Sequence, residues 1–138
     1  MGSLDFPALK KLFRNDRFAE FIGAEVVAGG GGMGKARLEI HTHHLNGLGI
    51  VQGGAVFTLA DLAFAVACNS HGNKAVGLNA SINWLRPGLT GVLQAEAREV
   101  SCTRRIATYE VLVTDDAGEL LATFHGTAYR KDEQWDLN

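Results

Sequence analysis

Two cysteines and two prolines in 138 residues leave almost nothing to cross-link the chain and little to interrupt regular structure. Cys68 and Cys102 have neither CxxC nor metal-site spacing, so both read as reduced, packed side chains and point to a reducing, cytoplasmic setting. An excess of one charge is also missing. The 13 basic and 15 acidic residues leave a net charge of −2, and basic residues cluster no further than pairs such as Lys10-Lys11 and Arg104-Arg105, so nucleic acid is not an expected partner. No apolar run reaches the ~20 residues that span a bilayer, so no membrane association is expected. The longest near-apolar stretch, Ala55 to Cys68, carries Asp61 at its middle and reads as a buried helix. The N-terminal MGSLDFPALKKLF has no long apolar core and no small-residue cleavage pattern, so no secretory signal is read there.

What the chain does have is ordinary globular composition, 46% hydrophobic and 20% charged, at a length that suits one domain over residues 1–138. Leu9, Leu12 and Phe13, then Phe18, Phe21 and Ile22, recur at helical spacing with a break near Asn15-Asp16, which predicts one or two short N-terminal helices. AGGGGMG, Ala28 to Gly34, lies between two strand-like runs and predicts a hairpin turn; no helix signal follows and no GK[ST] is present, which argues against a phosphate loop.

Period-two alternation then marks strands through Ala36, Leu38 and Ile40, through Leu78, Ala80, Ile82 and Trp84, through Leu93, Ala95 and Ala97, through Ala107 to Val113, and through Leu120 to Ala128. The short signals RPGLTG, CTRR and DDAG predict that the last four strands form an antiparallel meander. Residues 53–69 are apolar on nearly every side of a helical projection and predict a helix surrounded by protein. The expected fold is α+β, an antiparallel sheet curled around one long central helix, with Ala80, Ala95 and Ala97 keeping the inward face thin.

Two features carry chemistry. Gly53-Gly54 opens the central helix, where glycine either serves a tight turn or presents first-turn N–H groups to an anion or a developing oxyanion. Asp61, among Leu59, Ala60, Leu62, Ala63 and Phe64, would cost several kcal/mol if ionised and unpaired, so it is either a hydrogen-bonded structural carboxylate or a nucleophile or general base in a cleft. Eight residues at about 1.5 Å each set Asp61 some ~12 Å from Gly53 along one helix, too far to share a carbonyl. Two helices packed antiparallel across a two-fold axis would bring Gly53 of one copy to Asp61 of the other. Asn46 and Gln52 flank the turn with neutral groups suited to orienting a carbonyl or a water. His41 and His43 share a strand-like spacing, and no metal is expected at His41, His43 and His44.

NGLGIVQGGAVFTLADLAFAVACNS, followed by INWLRPG and further strands, resembles the hotdog-fold acyl-CoA thioesterases, in particular their phenylacetic-acid-degradation branch, over about Phe18 to Tyr129. The resemblance implies a hotdog fold and hydrolysis of an aromatic or medium-chain acyl-CoA. The Gly53 N–H would polarise the thioester carbonyl, Asp61 of the facing subunit would act as nucleophile or base, Asn46 would place carbonyl or water, and Gly54 would keep the turn open. Many relatives have histidine where this chain has Gln52, a neutral amide that only partly replaces an imidazole. The resemblance further implies Phe57, Leu62 and Phe64 as walls for the acyl group and Arg104 and Arg105 as phosphate contacts. It also implies a homodimer with shared sites, paired into a tetramer, and no separate cofactor, coenzyme A being part of the substrate. A non-catalytic acyl-CoA binding or sensing module is the alternative on the same scaffold.

Overall fold

The computed structural model describes residues 2–137. Two short helices come first, α1 (Phe6–Phe13) and α2 (Arg17–Ile22). Each is opened by an aspartate, Asp5 accepting from the Ala8 N–H and Asp16 from the Ala19 N–H, both at 3.0 Å, and this capping explains the break at Asn15-Asp16. Gly23, at φ 85°, ends α2 and starts the sheet. Strands β1 (Ala24–Gly30) and β2 (Met33–Glu39) form the hairpin expected of the glycine cluster, turning through Gly30, Gly31 and Gly32 at positive φ.

The central helix α3 (Gly53–Asn69) precedes β3 (Asn73–Trp84), β4 (Val92–Cys102), β5 (Ile106–Thr114) and β6 (Leu120–Gln134). All strand pairs are antiparallel, in the order β1-β2-β4-β5-β6-β3. The expected four-strand meander is therefore corrected: β4, β5 and β6 form one, but β3 pairs with β6. Both sides of β4 are taken by β2 and β5, so the Leu85–Gly91 connection must cross beneath the start of α3, held by Val51 N–H to Gly88 O at 2.8 Å. Strand β3 is left as an edge. Ala80 keeps the predicted face, paired with Gly126, but is exposed because nothing among the described residues covers that edge, and Leu78 sits in a bulge and is exposed.

The sheet curls around α3 with Ala95, Ala97, Ala107, Tyr109, Val111, Val113, Ala122 and Phe124 turned inward onto Leu59, Ala60, Ala63 and Phe64. Two glycines set the closest approach. A Cβ on Gly34 would meet the Ala63 carbonyl oxygen and lie 2.8 Å from the Ala67 nitrogen, and one on Gly126 would lie 2.7 Å from the Phe64 ring. The helix is not enclosed on every side, however. Gly54 and Asp61 are exposed, and Thr58 and Ala65 half-buried, at positions one face of a helix repeats, so this chain leaves a stripe of α3 open. Among the described residues no helix is long and apolar enough to cross a membrane.

Candidate functional site

An α-helix opens with N–H groups that its own carbonyls cannot reach. In α3 the Gly54 N–H is taken by Gln52 Oε1 at 2.6 Å, and those of Ala55 and Val56 by the Gln52 carbonyl at 2.9 and 3.4 Å. Gln52 is thus the helix cap. That leaves the Gly53 N–H as the first-turn donor without a partner among the described residues, at the positive end of a 17-residue helix. The Gly53 carbonyl accepts from Trp84 Nε1 at 3.2 Å, and a Cβ at position 53 would stand 3.2 Å from the indole. A side chain at position 53 would therefore fit only if the exposed indole gave way by a few tenths of an ångström.

Gly53 borders a cavity of about 380 Å³ whose rim includes Asn46, Trp84 and Arg86. Asn46 Oδ1 accepts from the N–H groups of Leu48 and Ile50, at 2.8 and 3.4 Å, and so shapes the loop entering the helix, while its amide NH₂ makes no hydrogen bond among the described residues. Gln52, Gly54 and Phe57 border a second cavity, about 540 Å³, lined on its other side by the exposed rings of Phe18 and Phe21 of α2. Asp61 opens into a third, about 250 Å³, which shares Phe18, Phe57 and Thr58 with the second. The last two form one trough along the open stripe of α3.

The Asp61 carboxyl reaches solvent but lies against Phe18, Phe57 and Leu62. That partial burial, and then the negative charge of Asp16 on the same cavity, raise its pKa above the ordinary carboxylate value. Within this chain Asp61 is exposed and makes no ion pair or hydrogen bond among the described residues.

Several expected site residues fall elsewhere. Phe64 is 2% exposed, its ring edge-on to Tyr109 at 5.6 Å, and is a core residue rather than a wall of an open cleft. Leu62 is buried at 4%, though it borders the Asp61 cavity. Arg105 is held by both oxygens of Asp132, at 3.0 and 2.7 Å, and Arg104 lies 3.5 Å from the same carboxylate. Their turn ends β4, beside the C-terminal end of α3, about 24 Å along the helix from Gly53. Arg86 is the arginine on the Gly53 cavity, 3.4 Å from Glu119. His44 is committed to the fold: its Nδ1 accepts from the His41 N–H at 2.9 Å and its Nε2 donates to the Ile22 carbonyl at 2.6 Å.

Phe18, Phe21, Thr58 and Trp84 were not singled out by sequence as site residues. Thr58 was signalled by its spacing of four and three residues from Gly54 and Asp61, whereas Phe18 and Phe21 resembled ordinary helix packing until α2 was placed over the trough.

Known proteins share this fold. The thioesterase superfamily model matches residues 48–122. A proposed esterase of Archaeoglobus fulgidus is 37% identical over 125 residues, 90% of this chain and 81% of that protein. The acyl-coenzyme A thioesterase PaaI of Escherichia coli is 32% identical over 120 residues, 86% of each chain, and the solved structure of that organism's PaaI protein superposes with a TM-score of 0.89 over 96% of this chain and 99% of its own, at 30% identity. A hypothetical thioesterase of Streptococcus pneumoniae, solved with coenzyme A, is 26% identical, with a TM-score of 0.82 over 91% of this chain and 98% of that one. The chain belongs to the thioesterase superfamily, as a hotdog-fold member of the PaaI-like acyl-CoA thioesterases.

Proposed function

We propose that the chain hydrolyses aromatic acyl-CoA thioesters such as phenylacetyl or hydroxyphenylacetyl esters, or medium-chain ones, at sites shared between two copies. The observation that carries the reading is the Gly53 N–H, held at a helix N-terminus beside a cavity and without an acceptor among the described residues. A thioester oxygen placed there gains a donor aimed at the charge that develops when the carbonyl carbon becomes tetrahedral. Asp61 of the second copy supplies the other half. As a base it takes a proton from water, the resulting hydroxide adds to the carbonyl carbon, and collapse of the adduct expels the coenzyme A thiolate and leaves the acid. As a nucleophile it adds directly, expels the thiolate and forms an anhydride that water then opens. A raised pKa suits the first role, because a stronger base takes the proton more readily.

The second copy is supported by what this chain leaves uncovered. The helix-facing side of β3 and the Gly54–Ala65 stripe of α3 are both open, and Leu78 and Trp84 are exposed along that edge. An antiparallel pairing would cover both, and such dimers pair further in the tetramer we propose. Because α3 is antiparallel to its copy there, the other subunit's Arg104 and Arg105 turn would lie towards this chain's Gly53, within reach of coenzyme A phosphates. Free cysteines fit a reducing, cytoplasmic setting.

Thiol release from a panel of aromatic and straight-chain acyl-CoA esters tests the proposal. Asp61→Asn should lower kcat by about 10²–10⁴-fold with the fold and dimer retained. Unchanged turnover by the variant would remove Asp61 from the reaction. Tight acyl-CoA binding with no turnover by the wild type would instead favour a binding module, a reading to which the use of Gln52 as a cap lends some support.

A further inference from the structure

At the opposite end of α3 from Gly53, three side chains that the sequence keeps far apart come together. His71 lies just past the helix, and Glu99 and Cys102 lie on β4. Their ligand atoms, an imidazole nitrogen, a carboxylate oxygen and a thiol sulfur, are within 4.8 Å of one another, and no other three His, Cys or acidic side chains among the described residues gather as a metal-sized group.

A regular strand would prevent this, because residues three apart point to opposite faces. The β4–β5 register shifts between Glu99 and Ser101, so that Glu99 pairs with Tyr109 and Cys102 with Ala107, both inward-facing residues. The bulge at Val100 thus re-aims Cys102 onto the face that Glu99 occupies. Glu99 is itself fixed from several sides. Tyr109 donates its hydroxyl proton to Oε2 at 2.7 Å, His71 Nε2 stands 2.6 Å from the same oxygen, and the Glu99 N–H donates to the Gly32 carbonyl at 3.0 Å. A Cβ on Gly32 would press within 3.0 Å of the Glu99 side chain, so glycine is needed there for fit as well as for its φ of 84°.

We propose that His71, Glu99 and Cys102 form a three-ligand site for a zinc-class divalent cation, distinct from the thioesterase site. One nitrogen, one thiolate and one carboxylate suit a borderline-soft ion in tetrahedral geometry with the fourth position open to water. Two anionic ligands and a neutral imidazole balance a charge of +2. The ligand atoms on one zinc stand roughly 3.3–3.8 Å apart. Binding therefore needs His71 and Glu99 to separate slightly and the exposed Cys102 thiol to swing in, while the Tyr109 hydroxyl keeps the carboxylate oriented. The arrangement differs from a cysteine nucleophile and its base, because the Cys102 sulfur contacts the Thr103 carbonyl at 3.7 Å and His71 is engaged by Glu99. Arg130, whose charge reaches Cys102, is tied to the Thr103 carbonyl at 2.7 Å and to Asn73 Oδ1 at 3.2 Å.

The test is equilibrium dialysis of the chelator-treated protein against Zn²⁺, with Co²⁺ as the spectroscopic probe. The expected result is about one Zn²⁺ per chain and, with Co²⁺, an intense near-ultraviolet thiolate-to-cobalt band. Cys102→Ser, at an exposed position that leaves the fold intact, should abolish the band and weaken Zn²⁺ binding by more than the ~10–100-fold that loss of a supporting partner costs. Glu99→Gln, which still accepts from Tyr109, should weaken binding too, whereas a His41→Ala, His43→Ala double variant should bind as the wild type does. No thiolate band in the wild type, or equal Zn²⁺ affinity in the wild type and Cys102→Ser, would overturn the proposal.

Discussion

Whether one site draws on two copies can be decided by deleting each half in a different chain. Gly53 is the first helical residue, the position where proline is best tolerated in a helix, and Gln52 before it already has φ −62° and ψ 135°, the extended backbone that a following proline requires. Gly53→Pro therefore removes the N–H while leaving the helix a means to form. The ring meets the Trp84 indole, to which a Cβ would stand at 3.2 Å, but Trp84 is 56% exposed and can yield a few tenths of an ångström. Gly53→Ala makes the same contact and keeps the N–H, so it isolates the donor from the steric effect. Loss of one such donor costs about 10²–10³ in kcat, or roughly 2.7–4 kcal/mol.

Gly53→Pro should fall by that factor, and Gly53→Ala by much less. Gly53→Pro and Asp61→Asn chains, unfolded together and refolded as an equal mixture, should regain activity. About half of the dimers will be mixed, and each mixed dimer has one intact site of two, so recovery should approach about a quarter of wild-type turnover. Thiol release before and after mixing is the assay. A mixture no more active than its components would refute the shared site, since intact halves would then never meet.

Three further outcomes follow from the same geometry. Gln52→Ala should cost about 1 kcal/mol, near 3–4 °C in Tm for a chain of this size, and Gln52→Ser, a better cap, should restore both Tm and most of kcat; a stable but inactive Gln52→Ser would show that Gln52 acts on substrate instead. Asp16→Asn keeps a capping oxygen for α2 but removes the like charge beside Asp61, so the Asp61 pKa falls and the acid limb of the kcat/KM profile, which rises as Asp61 ionises, moves to lower pH; an unmoved limb would exclude the coupling. Gly34→Ala forces a methyl against the backbone of α3 and should cost about 1–3 kcal/mol or more, a fall of roughly 3–10 °C in a thermal melt, whereas a Tm within 1 °C of wild type would mean the helix and sheet are less tightly seated than they appear.

The elements that alternate or repeat cleanly were legible in the sequence. The helix breaks at Asp16, the glycine hairpin and the inward faces of β4, β5 and β6 all fell where periodicity put them, because each pattern reports a face buried within this chain. Strand order was not legible, since alternation in β3 is equally satisfied beside β4 or beside β6, and the choice depends on β4 already having two neighbours. Bulges were invisible for a related reason. The run Leu78 to Trp84 and the run Leu93 to Cys102 each hide an inserted residue that only the partner strand reveals. Cys102, read as packed, is exposed because it is the last residue of β4, past the end of the core, although the bulge turns it to the inward face, while Cys68 is buried as expected.

The aspartate illustrates why a site can be half legible. In the sequence Asp61 is conspicuous because every neighbour is apolar, and that pattern resembles burial on all sides of the helix. The structure separates two kinds of apolar neighbour: Leu59, Ala60, Ala63 and Phe64 face the sheet, while Phe57 and Ala65 border the trough that Asp61 shares. An apolar stripe left open beside a carboxylate of raised pKa is costly for an isolated chain and useful at a boundary between chains, where covering the apolar surface would stabilise the pair and withdraw water from the carboxylate together. Association would then raise the Asp61 pKa further than the single chain does, because desolvation is already the larger of its two causes. On the proposed pairing through β3, Leu78→Arg, distant in sequence from both halves of the site, should therefore prevent association and abolish turnover together, and turnover by a folded monomer would show that the open stripe serves some other end.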